Sequence, residues 1–478
     1  MNKRFFWGGS IAAHQCEGGF QEGRKGLAIM DKVTAGTYEK PRQIHEKCLE
    51  GYEYPSHTGI DFYHRYEEDI KLFSEMGFTA LRISVDWSRI YPTGEEEHSN
   101  EEGLFFYRKV LTALRDHNIE LIVTLYHFEL PEAIVRKYGS WNNRKTIELY
   151  LKYCRTVFKE YKDIVTWWAT FNEMNHLETK VKREHDELMS YMVTGLACSK
   201  SDPSEVDAVM ARCTYNMTVA SVMAIEEGHK INPDFKIGCV FGFEPFYALS
   251  CHPEDSVKAL DCMEDEVVQI DAMCLGRFPE RKIKEYKTRG FQVEVFPEDA
   301  GFFMRNRLDF IGLNYYASAA VGREPLEGET PDMYGGYHNP LLEKSSWGWT
   351  IDPVGLRYAL RFFEQRYRKP VIITENGIGA YDELEDGTVQ DDYRIEYLSS
   401  HFKEMKKAIK EDHVNCIGYL MWGPIDLISA TTGEMKKRYG FIYVDKNNDG
   451  SGTLKRYPKK SFYWYRQVIE SNGEKLDF

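Results

Sequence analysis

No stretch of this 478-residue sequence approaches the ~20 consecutive apolar residues that a membrane-spanning helix needs. The opening segment, MNKRFFWGGSIAAHQCEGGF, carries two early cations, but glycines and then His14, Gln15 and Glu17 interrupt its apolar run. A secretory leader needs ~7–15 apolar residues, so the expectation is a chain that stays in the cytoplasm. Positive charge is in short supply as well. The 61 Lys+Arg stand against 75 Asp+Glu, a formal net charge of -14. Such a chain repels nucleic acids and anionic membrane surfaces, and neither is expected as a partner. The ten cysteines lie singly at 16, 48, 154, 198, 213, 239, 251, 262, 274 and 416, with no Cys-x-x-Cys and no Cys/His cluster of zinc spacing. In a cytosolic chain this predicts buried free thiols and no metal site. Low-complexity tracts, a Pro/Gly/Ser-rich linker, a fixed repeat and a Gly-rich dinucleotide turn are also missing.

What is abundant is aromatic. Aromatics reach 14%, with nine Trp, 31 Tyr and 27 Phe, which favours pockets that stack flat ligands or sugar faces. Eight apolar runs read as strands, at 5–10, 79–85, 119–127, 164–173, 235–241, 308–316, 370–377 and 416–423. Most are nearly continuous and not alternating, as parallel strands covered on both faces are. Helical patterns separate them, at 61–77, 143–161, 202–229, 352–367 and 391–411. Several begin with Asp or Asn in the N-cap position, and the first ends at Gly77, a natural C-cap glycine. Eight strands alternating with helices predict a single (β/α)8 TIM barrel, an α/β fold, occupying the whole of 1–478 as one domain. A barrel needs ~250 residues, so long loops are expected at the C-terminal face of the strands. The candidate insertions are 24–60, 174–203, 242–256, 278–307, 317–350 and 424–460. A doubly wound open sheet is the alternative.

Reactive residues of a barrel sit at the C-terminal ends of its strands. Here the fourth run ends TFNE, with Asn172 and Glu173, and the seventh ends ITENG, with Glu375 and Asn376. One Glu at a strand tip is commonly a cap or an ion-pair partner. Two of them, each beside an Asn in an aromatic setting, fit glycoside hydrolysis, which needs one acid for the leaving oxygen and one nucleophile or base.

At these positions the sequence resembles glycoside hydrolase family 1. TFNEM at 170–174 and IITENG at 372–377 look like its acid/base and nucleophile motifs. FFWGGSIAAHQCEGG, LRISVDWSRIYPTG, TLYHFELP, DFIGLNYY and GYLMWGPID resemble its first, second, third, sixth and eighth strands, in order. The resemblance implies a retaining mechanism, with Glu173 as acid/base and Glu375 as nucleophile. It implies Arg82 and Tyr316 beside the nucleophile, favouring its anion, and a resting Glu173 kept protonated by the negative Glu375. Gln15, His127, Asn172 and Trp422 match its glycone-binding residues, and Trp349 its aglycone platform. A core role is the alternative for His127, and packing is expected of Tyr315. The implied reaction uses neither metal nor organic cofactor.

Most β-glucosidases of the family continue from the eighth strand as WSLxDNFEW, whose Glu holds the sugar 4- and 6-hydroxyls. This sequence reads WGPIDLISA, with Ser429 in place of the Glu and Ala430 in place of the Trp, and Lys436, Lys437 and Arg438 follow. A phosphate dianion is repelled by a carboxylate and welcomed by hydroxyl and ammonium donors. The segment resembles the phosphate site of the family's 6-phospho-β-glycosidases, implying Ser429, Lys437 and Tyr439 as phosphate ligands, with Lys436 as a substitute for Lys437. Lys436 and Arg438 otherwise read as solvent-facing. Ala430 resembles the gluco branch, so the implied substrate is a small phosphorylated β-glucoside. A 6-phospho-β-galactosidase, an unphosphorylated β-glucosidase and a non-catalytic sugar-phosphate binder stay open as alternatives.

DKNNDGSGTLKR at 445–456 starts like a calcium loop, but Arg456 stands where a bidentate Glu is needed, so a hairpin turn is expected. The sequon NMT at 216–218 falls in a helical stripe, and KREHDE at 182–187 reads as a solvated loop or helix face.

Overall fold

The computed structural model describes the chain except residues 1–4, 178–186, 198–201, 325, 327, 329–330, 332–335 and 478. Cys198 and all of the 182–187 run but Glu187 therefore lie outside the described residues. Eight parallel strands close into a barrel: β1 (Phe6–Ile11), β2 (Ala80–Ser84), β3 (Glu120–Thr124), β4 (Trp167–Asn172), β5 (Lys236–Gly242), β6 (Ile311–Asn314), β7 (Val371–Glu375) and β8 (Cys416–Trp422). β1 pairs with both β2 and β8, which removes the open-sheet alternative. Each strand falls within one residue of, or inside, its predicted run. The runs at 164–173 and 308–316 extend past their ladders at both ends.

Strand side chains alternate between the barrel interior and the helical shell. Phe6, Ala80, Ile122, Phe310, Ile372 and Leu420 form a separate apolar cluster, the floor of the barrel. Two residues further along the same strands stand Arg82, Thr124, Thr374 and Trp422, so alternation places a polar layer on that floor. β4 needs an extra device. Trp167 faces the floor, with its ring 5.2 Å from Phe6 and 5.3 Å from Phe310. Yet Thr170 bonds Ser221 of the outer helix Pro203–Ile231, and Phe171 packs on Trp141 and Tyr150. A register shift between Ala169 and Asn172 resets the alternation and turns Asn172 inward. A second shift, between Leu313 and Asn314, sets Asn314 opposite Glu375 at the tips of β6 and β7.

The helices follow the apolar stripes. Asp202 and Asp352 cap theirs, accepting from Ser204 N (2.9 Å) and Gly355 N (2.8 Å). Asp61 and Asp391 do not cap. Asp61 sits in the left-handed region, and Asp391 is taken by Arg394 and Ser461. Gly77, with φ 85°, ends the first long helix as predicted. The nine described cysteines are all free, but Cys48 and Cys251 are exposed, against the expectation of burial, because they lie on inserted loops. Asn216 of the sequon is buried and donates to Trp141 O, and no helix among the described residues is long and apolar enough to cross a membrane. Insertion 278–307 forms helices Glu280–Thr288 and Pro297–Arg305, the second tied to Arg144 through Asp299.

Insertion 424–460 contains the expected hairpin, Ile442–Val444 paired antiparallel with Arg456–Pro458. Arg456 docks it on the helix Phe62–Glu75. Its guanidinium donates to both oxygens of Asp69 (2.7 and 2.9 Å) and to Ile60 O (2.8 Å), and both side chains are fully buried. Removing one partner of such a pair strands a charge in the interior. Arg456→Met is expected to destabilise the protein by about 3–5 kcal/mol in denaturant melts, and adding Asp69→Leu should recover most of it. A loss below about 1 kcal/mol in the single variant would refute the docking role.

Candidate active site

The polar layer rises into a cavity at the barrel mouth. Its walls include Gln15, His127, Asn172, Glu173, Tyr316, Trp349, Glu375, Trp422 and Tyr439, nine of the twelve residues singled out from sequence. Glu375 ends β7 and is buried, with one donor on each oxygen. Arg82 Nη1 reaches Oε1 at 2.5 Å and Tyr316 OH reaches Oε2 at 2.7 Å. The same guanidinium donates through Nε to Thr124 Oγ1 (2.9 Å) and through Nη2 to Asn172 Oδ1 (2.7 Å).

Glu173 follows β4 with φ 47°, a left-handed conformation that non-glycine residues rarely adopt and that costs of order 1–3 kcal/mol. Its N–H bonds Val240 O (2.8 Å), which anchors the turn to β5. Its carboxylate takes Asn314 Nδ2 at 2.7 Å on one oxygen and has His176 Nε2 at 3.0 Å on the other. Gly242 makes this possible, because a Cβ there would stand 2.8 Å from the His176 ring and 3.3 Å from Glu173 Oε1. Asn314 also donates to Asn172 Oδ1 (3.2 Å), while its own Oδ1 accepts from Thr374 (2.8 Å). The Asn172 oxygen therefore serves two donors, Arg82 and Asn314, which leaves its NH2 group for the cavity.

The electrostatics depart from expectation at Glu375. Arg82 and Tyr316 do hold its pKa down, but burial outweighs them and neighbouring Glu173 adds to burial, so it is pushed up to about 7. His127 goes the other way. Burial, then the Arg82 charge, keeps its ring well below the usual histidine range and so neutral. Gln15 is held by a 2.6 Å bond from Nε2 to Ile428 O. Tyr315 is buried and donates to Asp352 O, a packing role as predicted.

The segment after β8 sorts its cations. Lys437 is buried, its Nζ 4.2 Å from the Trp349 ring centre, 4.8 Å from Trp347 and 5.7 Å from Tyr439. It makes no ion pair among the described residues, and burial, only partly offset by Glu434, pulls its pKa down to about 7. Gly379 gives its stem room, since a Cβ there would lie 2.8 Å from Lys437 Cε. Ser429 is fully buried just behind the cavity-lining Ala430 and Thr431. Lys436 is exposed and lies over Tyr381, 4.7 Å from its ring centre, away from the cavity. Arg438 contradicts its predicted exposure. It is buried and donates to Asp426, Val444 O and Lys446 O, because the hairpin folds over it. Trp349 lies edge-on to Tyr316 (5.3 Å) as well as beneath Lys437, so it touches both halves of the site.

Sequence reasoning missed Asn314, His176 and Thr431. Asn314 ends a strand, as Glu375 does and Glu173 nearly does, and the strand-tip rule applied to DFIGLNYY would have found it. His176 carries no motif; its short helical turn, Met174–Leu177, brings it back onto Glu173.

Residues 1–474 match the sequence model described as glycosyl hydrolase family 1. The chain is 43% identical to an aryl-phospho-β-D-glucosidase of Bacillus subtilis (strain 168), over 100% of this chain and 99% of that one. It is 44% identical to a 6-phospho-β-glucosidase of Clostridium longisporum, over 99% and 98%. Among solved structures it is similar to a family 1 β-glucosidase from Thermotoga maritima, with TM-score 0.83, 28% identity and 99% of each chain covered.

A Glu375 that serves as nucleophile must be ionised to react, so on that expectation its pKa governs the acid limb of kcat/KM. That limb is expected near pH 7, well above the ordinary carboxylate range. Tyr316→Phe removes a donor that lowers this pKa and should move the limb to higher pH. The substrate's own ionisation is common to both enzymes and cancels in the comparison. A wild-type limb near pH 4–5, or a downward shift in the variant, would contradict this electrostatic reading.

Proposed function

The chain belongs to glycosyl hydrolase family 1, and on that premise we propose that it is a retaining 6-phospho-β-glucosidase, cleaving 6-phospho-β-D-glucosides to glucose 6-phosphate and the aglycone. The observation that carries the phosphate half of this reading is Lys437. It is a buried ammonium without an ion-pair partner among the described residues, caged by aromatic rings at the edge of the cavity that holds Glu173 and Glu375. A buried charge without a counter-ion is costly, and an incoming dianion supplies one. Binding would also return its pKa toward the ordinary lysine range. Ser429 and Tyr439 complete the ligand set, and the phospho-glucosidase names of the relatives agree with it. Ala430 lines the cavity, and its resemblance to the gluco branch at this place favours glucose over galactose at the 4-position.

The reaction runs in two displacements. A Glu375 oxygen bonds to the anomeric carbon as the glycosidic bond breaks, and the leaving oxygen takes the proton of Glu173. Neutralising Glu375 lets Glu173 act as a base. It takes a proton from water, whose oxygen then bonds to the anomeric carbon and expels Glu375. The free NH2 of Asn172 faces the sugar 2-hydroxyl, and Gln15, His127 and Trp422 hold the rest of the ring. Trp349 stacks the aglycone. We read the whole chain as one catalytic unit. A phosphorylated sugar does not cross a membrane unaided, so the enzyme works where the sugar is phosphorylated, in the cytoplasm.

Hydrolysis of 4-nitrophenyl β-glucoside with and without a 6-phosphate tests the reading, and equal or better turnover of the plain glucoside would sink it. Lys437→Ala removes charged hydrogen bonds of about 1.5–3 kcal/mol, so KM for the phosphorylated substrate should rise roughly ten- to hundredfold. Glu375→Gln should abolish turnover, and undiminished activity would exclude Glu375 as nucleophile.

A further inference from the structure

A second buried cation stands behind the phosphate pocket, on a segment far away in sequence. Arg42 belongs to the insertion after β1, where Val33 and Ile44 form an antiparallel bridge. It is only 8% exposed. Its Nε donates to Thr34 O (2.8 Å), its Nη2 to Val33 O (3.1 Å) and its Nη1 to Ala430 O (2.6 Å). Every acceptor is a backbone carbonyl, and no described carboxylate pairs with it. Burial lowers its pKa to about 9, which leaves it charged at pH 7. Beside it, Gly36 N donates to Thr432 O (3.0 Å). Gly433, with φ 75°, permits the approach, since a Cβ there would lie 3.2 Å from Arg42 Nε.

The loop is thus gripped by its carbonyls. In a planar trans peptide the C=O and the following N–H point in opposite directions. Arg42 holds the Ala430 oxygen, so the Thr431 N–H of the same peptide points away from Arg42. Ala430 and Thr431 both line the cavity, and neither N–H has a hydrogen-bond acceptor among the described residues. Unbonded N–H groups beside a cavity form an anion-binding concavity.

We propose that Arg42 is a positioning residue for the phosphate pocket: by holding the Ala430 carbonyl it turns the Thr431 N–H toward the cavity, and its uncancelled charge adds to the attraction for a dianion. Thr431 then joins Ser429, Lys437 and Tyr439 as a phosphate donor through its backbone. The inference rests on the 6-phospho-β-glucosidase reading.

Arg42→Met and Arg42→Lys test it with the same pair of substrates. Arg42→Met should raise KM for 4-nitrophenyl 6-phospho-β-glucoside about tenfold and leave KM for 4-nitrophenyl β-glucoside within twofold, with Arg42→Lys in between. An equal rise on both substrates, or no rise, would overturn it and leave Arg42 a plain loop staple. If Arg42→Met does not fold, hydrogen exchange on the wild-type protein decides. Glucose 6-phosphate, and not glucose, should slow exchange in the peptide covering 429–433; equal exchange would overturn the proposal. A wild-type enzyme with no preference for the phosphorylated substrate would overturn the functional reading and this inference together, whereas an intact preference untouched by Arg42→Met would overturn this inference alone.

Discussion

A buried guanidinium has to be answered, and in this barrel the answer organises everything above the floor. Arg82 rises from β2 and meets Thr124 on β3, Asn172 on β4 and Glu375 on β7. Its planar fork imposes fixed directions on each partner. The carboxylate of Glu375 is aimed by it, and the Asn172 amide is oriented by it. Through Asn172 and Asn314 the constraint reaches Glu173, so two carboxylates far apart in the chain belong to one hydrogen-bonded unit. The apolar floor beneath excludes water and makes these bonds strong, and burial also raises the pKa of the Glu375 carboxyl that the fork supports.

Much of this is legible in the sequence. Continuous apolar runs foretold parallel strands, and the polar tips TFNE and ITENG foretold where the chemistry would gather. Alternation even accounts for Arg82, two residues beyond the floor residue Ala80. What alternation does not foretell is the bulge in β4. Counting from Trp167 would point Phe171 inward and Asn172 outward, and the opposite occurs because the ladder with β5 slips. Such slips arise from packing against the outer helix, a long-range fact that local sequence does not carry. The balance at Glu375 was hidden for a similar reason. Its neighbours are readable from motifs, but the depth of burial that outweighs them is a property of the closed barrel.

The three consecutive cations at 436–438 show the same boundary. Chemically they are near equivalents, and sequence assigned solvent to two of them. In the fold each has a different fate: Lys436 on the surface over Tyr381, Lys437 in an aromatic cage, Arg438 welded into the hairpin. Neighbour identity decides, and those neighbours come from 347–349, 379–382 and 426–446. Resemblance to a family selected Lys437 correctly as the inward one where composition alone had no basis to choose.

Gly379 bears on how such a site is inherited or moved. Its missing side chain is the space that the Lys437 stem occupies, and it sits on a different loop, 58 positions upstream of Lys437. A graft of the 429–439 segment into a barrel with a larger residue at that place would bring the proposed phosphate ligands without room for the Lys437 stem. On the proposed reading, recognition of the sugar's charge is therefore not a portable cassette. It is distributed between a loop that supplies donors and a loop that supplies emptiness, and descent or design has to carry both at once.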